Sequence, residues 1–146
     1  MRWSPHVTVA AVAIDEQERF LLVEELIDGV PCLNQPAGHW EKGESLIDAV
    51  IRETKEETGH DFIPAAVLGI YHWQHPQKDL TYLRIAFVGA AGNYDPRAPL
   101  DTGIIGPRWL HPRELDAARL RTTMVQRCIK DFLAGHRFSL DLLHSV

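Results

Sequence analysis

Glu53, Glu56 and Glu57 stand at i, i+3 and i+4, a spacing that on a helix gathers all three carboxylates into an arc about 100° wide. Ser45 is placed to cap such a helix, with Asp48 three residues on as its partner, and Gly59 is placed to close it in a left-handed conformation. Leu46, Ile47, Val50, Ile51 and Thr54 cover the adjoining face, and Lys55 points away. Arg52 reaches Glu56 at i,i+4, which leaves Glu53 and Glu57 without a helical partner. Like charges so arranged cost a few tenths of a kcal/mol per exposed pair and more when half buried. A divalent cation converts that repulsion into a binding site. Mg²⁺ takes hard oxygen ligands in octahedral geometry and retains waters and substrate phosphates. The alternative is a solvated acidic face on an ordinary amphipathic helix.

The longer pattern is G-x5-E-x7-R-E-x-x-E-E-x-G, spanning Gly38, Glu44, Arg52, Glu53, Glu56, Glu57 and Gly59. It resembles the signature box of the Nudix hydrolases, here residues 38–60. Thr54 and His60 depart from the aliphatic residues preferred at those positions, which touches packing rather than chemistry. The resemblance implies Mg²⁺, with Mn²⁺ as a substitute, held by Glu53, Glu56, Glu57 and the Gly38 carbonyl. It implies hydrolysis of a phosphoanhydride in a molecule of the type nucleoside diphosphate-X. Glu53 is the first choice of general base, and Asp101, in a later loop, is the second. Arg52 and Glu44 orient the ligand carboxylates. The strings at 6–9, 34–39 and 120–123 are similar to the NudJ-type phosphatase branch, whose members release phosphate from nucleoside di- and triphosphates and thiamine-related pyrophosphate esters. Three other readings compete: a hydrolase of ADP-ribose or dinucleoside polyphosphates, a non-catalytic ligand-binding module, and an isomerase of isopentenyl diphosphate type using Cys32.

The elements that must hold this box in place follow from periodicity. Residues 7–14, 19–24, 65–73, 81–88 and 108–110 read as strands. Residues 123–133 have helical spacing, and a short helix starts at 111–115. Residues 89–107, rich in Gly and Pro, read as an extended loop with a short strand at its end. Helices alternating with a mixed set of strands predict an α/β fold with the sheet between helices. The resemblance specifies an α/β/α sandwich with a mixed β-sheet. With 146 residues, one domain spanning 1–146 is expected.

Arg84 on a strand and Lys78 in the preceding turn are candidate phosphate contacts. Trp40 in the box loop is a candidate stacking surface, whereas Trp73 reads better as core. His72 and His75 lack a common helical face, which argues against a zinc site. The net charge of −5 argues against a nucleic-acid polymer as partner and leaves a small phosphorylated substrate open. The apolar run at 7–14 is too short to span a membrane. Cys32 and Cys128 read as packing residues in a reducing, cytoplasmic compartment. The sequence is silent on oligomeric state.

Overall fold

A computed structural model describes residues 2–117 and 119–146. Along the chain come β1 (His6–Ala13), β2 (Phe20–Ile27), β3 (Val30–Asn34), β4 (Ala37–His39), α1 (Leu46–Thr58), β5 (His60–Gln74), β6 (Thr81–Tyr94), β7 (Ile104–Leu110) and α2 (Thr123–Leu133). Short 3₁₀ turns cover Pro112–Ala117 and Leu140–Leu142.

β1 is apolar at nearly every position, the mark of a strand covered on both faces. Alternation sends Ala10 and Val12 into one core, while Val9, Ala11 and Ala13 enter another. Val125, Cys128 and Ile129 of α2 close the first core, and Ala49 and Val50 of α1 close the second. The chain is therefore an α/β/α sandwich. Its strands form a mixed sheet in the order β4-β1-β6-β5, with β1 and β6 parallel, and an antiparallel sheet β3-β2-β7.

α1 begins and ends as its sequence specifies. Ser45 Oγ accepts from the Asp48 amide at 3.0 Å, and Gly59 adopts φ 74°. Thr54, fully buried, satisfies its hydroxyl by donating to the Val50 carbonyl at 2.7 Å. His60 is buried and stacks on Tyr94, with ring centroids 4.5 Å apart. The two departures from the box are thus absorbed in packing.

The extended loop expected at 89–107 is much shorter. β6 continues to Tyr94 and β7 starts at Ile104. Glycine at 89 serves close approach rather than a turn: a Cβ there would lie 2.2 Å from the Ile63 carbonyl oxygen of β5. β5 is correspondingly longer than its hydrophobic pattern, beginning directly after Gly59. Its bulges between 60 and 69 absorb Pro64 and break the strict alternation that marks a strand in sequence.

Candidate metal centre and substrate cavity

Arg52 organises the carboxylates. Its Nε and Nη2 donate to the two oxygens of Glu44 at 2.9 and 2.7 Å, a bidentate pair. Nη1 donates to Glu53 Oε1 at 2.8 Å and to Glu56 Oε2 at 3.1 Å, and Nη2 also reaches the His39 carbonyl at 3.0 Å. Arg52 thus engages Glu53 as well as Glu56, one contact more than i,i+4 spacing allows for. The Arg52 hydrogen bond holds the Glu44 carboxyl below its usual range, and Glu44 in turn pushes the guanidinium pKa up. One fork fixes three carboxylates, and Glu53 and Glu56 each keep a second oxygen beyond these contacts.

Gly38 sits on β4 opposite Val9. A Cβ at residue 38 would fall 2.1–2.3 Å from the Glu53 carboxylate, which would have to move to admit it. Glu57 is 7% exposed and accepts from the Ala37 amide at 2.8 Å. Burial raises the Glu57 pKa to about 8 and raises those of Glu53 and Glu56 as well. Burial thus disfavours the charged form of each, a penalty that a bound cation would offset.

Asp101 joins them. Single oxygens of Glu53, Glu56 and Asp101 lie within 4.8 Å of one another, close enough to share one ion. The Asp101 amide donates to the Glu56 carbonyl at 3.1 Å, which latches the 95–103 segment onto α1. These three carboxylates, with no sulfur or imidazole among them, make a hard donor set suited to a divalent cation, and Glu57, expected as a ligand, is not one of the three.

Glu53, Glu57 and Asp101 border a cavity of about 360 Å³. Gly38, Thr8, Asn34, Trp73, Tyr82, Arg84 and Arg121 also line it. Arg84, a candidate phosphate contact on the sequence, is 5% exposed on β6. Trp73, expected in the core, is half-buried at the cavity wall, its ring 5.7 Å from that of Tyr82. Trp40, 49% exposed, donates its indole N–H to the Glu44 carbonyl and lines a separate groove beside the C-terminal segment. Lys78 lies in the exposed turn after β5, where His75 Nδ1 accepts from the Gln77 and Lys78 amides. Neither Trp40 nor Lys78 borders the cavity. Cys32 lies on β3, against a different groove.

Sequence reasoning missed Glu25 and Arg121. Glu25, buried on β2, accepts from Arg121 at 2.7 Å. Residues 119–121 are stitched to β3 through the Leu33 amide and carbonyl, which brings Arg121 and Thr122 to the cavity. The string at 120–123 was the only signal for Arg121, and Glu25 had none.

The sandwich, the box geometry and a carboxylate cluster able to hold a metal ion suit a hydrolase, and residues 4–131 match the NUDIX domain. The chain belongs to the Nudix hydrolases. It is 37% identical to Phosphatase NudJ of Escherichia coli K12 over 142 residues, covering 97% of this chain and 92% of that protein. A NUDIX hydrolase from Nitrosomonas europaea superposes with a TM-score of 0.94 at 46% identity, over 98% of both chains. The NUDIX domain of Shewanella oneidensis NrtR, solved with ADP ribose, shares the fold at a TM-score of 0.75 and 16% identity, over 91% of this chain and 89% of that one. No helix among the described residues is long and apolar enough to cross a membrane.

Proposed function

We propose that this protein is a Mg²⁺-dependent phosphatase of small pyrophosphate compounds, releasing orthophosphate from nucleoside di- or triphosphates or from thiamine-type pyrophosphate esters. The observation that carries the reading is the convergence of Glu53, Glu56 and Asp101 within 4.8 Å at a cavity that Arg84 and Arg121 also line. Glu53, Glu56, Glu57 and the Gly38 carbonyl would hold the cation, for which Mn²⁺ would substitute. Bound there, it would offset phosphate charge and lower the pKa of water. Glu53 takes the proton of the attacking water, whose oxygen forms the new bond to phosphorus as the bridging P–O bond breaks. Asp101 is the second candidate for that proton and otherwise would add an oxygen to the cation's ligands. Arg52 and Glu44 keep the carboxylates in register. Trp73 and Tyr82 offer the organic part of the substrate an aromatic wall. The reaction is assigned to the cytoplasm, where the thiols of Cys32 and Cys128 stay reduced.

A panel of nucleoside di- and triphosphates, thiamine-type pyrophosphates, ADP-ribose and dinucleoside polyphosphates, each with and without Mg²⁺, tests this reading by phosphorus NMR. Orthophosphate released only with a divalent cation is the expected result. Two monophosphates from ADP-ribose alone would transfer the assignment to that substrate class. Metal-independent turnover, or none on any diphosphate, overturns the proposal.

A further inference from the structure

Arg84 has no ion-pair partner among the described residues. Its side chain rises from near the start of β6 beside β1 and is 5% exposed. Nη1 donates to Gln35 Oε1 at 2.9 Å and Nε to Thr8 Oγ1 at 3.5 Å, and both acceptors are neutral. No carboxylate oxygen lies within 4.0 Å of it among the described residues, although Glu57 and Glu25 act on it from farther away. Arg121 provides the contrast, since it lines the same cavity and is paired to Glu25 at 2.7 Å. Burying an unpaired guanidinium is among the most unfavourable choices open to a folded chain. A protein that retains one on a cavity wall has its anion elsewhere. Two neutral acceptors fix the orientation of the guanidinium, and neither cancels its charge.

We propose that Arg84 is a phosphate receptor: the non-bridging oxygens of the substrate's pyrophosphate supply the counter-charge that the protein withholds, on the cavity wall formed by β6 and β1. This deepens the hydrolase reading and rests on it. It assigns the two ends of the diphosphate different partners, carboxylate-held cation for one and buried guanidinium for the other. Gln35 becomes a positioning residue, acting through the Arg84 Nη1 contact.

The test uses methylenediphosphonate, whose carbon bridge resists hydrolysis, titrated calorimetrically into the Mn²⁺-loaded protein; Mn²⁺ alone is titrated in parallel. Arg84→Met removes the charge. Gln35→Glu keeps the shape and gives Arg84 an internal carboxylate partner. Both variants are expected to bind the diphosphonate about 10- to 100-fold more weakly, and Arg84→Lys falls between them and wild type. Arg84→Met retains Mn²⁺ binding and, in metal-free buffer, melts above wild type, which a purely structural arginine would not allow. Should Arg84→Met fail to fold, Gln35→Glu carries the test. Undiminished diphosphonate binding in Gln35→Glu, or in a folded Arg84→Met, overturns the Arg84 assignment alone. Failure of the wild type to bind the diphosphonate overturns the hydrolase reading and this proposal with it.

Discussion

Replacing Glu57 by Gln removes one titrating group while preserving the acceptor for the Ala37 amide, which sits 2.8 Å away. In the metal-free protein burial pushes this carboxyl from 4.5 to about 8. The folded state therefore holds its proton to higher pH than the unfolded state does. The sign follows: Glu57 costs nothing below about pH 4.5, and its cost grows as pH rises toward about 8. At neutral pH, about 2.5 pH units above 4.5 at about 1.4 kcal/mol each give about 3 kcal/mol. Urea unfolding in EDTA between about pH 5 and about pH 8 should show wild type losing ground steadily to Glu57→Gln. Added Mg²⁺ should close the gap, stabilising wild type much more than the variant, and turnover of the variant should fall by about 100-fold or more. Stability curves that run parallel across that pH range, or equal stabilisation of both proteins by Mg²⁺, would refute the assignment of Glu57 as a buried ligand.

Gly38→Ala places a methyl group where the Glu53 carboxylate lies; kcat should drop about 100-fold with the circular dichroism spectrum unchanged, and a crystal structure should show Glu53 displaced. Arg52→Lys keeps the charge but loses the fork that grips Glu44 while reaching Glu53 and Glu56, which should cost about 2–3 kcal/mol in metal-free urea unfolding and reduce Mg²⁺ affinity by about 10-fold. Asp101→Asn should lower kcat by up to about 100-fold, less than Glu53→Gln does; the reverse order, measured under saturating Mg²⁺, would move the general base to Asp101.

The ends of the helix carrying the box were legible in the sequence to the residue, because cap and stop are local signals at 45 and 59. Its buried face was legible only in part: Val50 and Thr54 are buried as expected, whereas Leu46, Ile47 and Ile51 are partly exposed and Ala49, Glu53 and Glu57 are buried instead. The cationic side of the cavity was legible only as candidates. Arg84 looks like any strand arginine until parallel pairing with β1 buries it, with Arg84 opposite Thr8. Arg121 reaches the cavity only because residues 119–121 join β3, nearly ninety positions earlier in the chain. The length of β6 was hidden for a similar reason. Glycines at 89 and 92 advertise a turn, whereas their purpose is to let β5 approach, a contact between strands that periodicity along one of them does not encode. Trp73 shows the limit of composition: a large aromatic on a strand suits either a core or a cavity wall, and the identity of its neighbours decides.

Because the Glu53 carboxylate occupies the volume that a methyl group at residue 38 would fill, the helix in effect supplies the strand's missing side chain. A side chain on the strand would therefore evict the acid while leaving both backbones where they are. The location of this oxygen pair is thereby dictated by main-chain shape as well as by torsions about its own bonds.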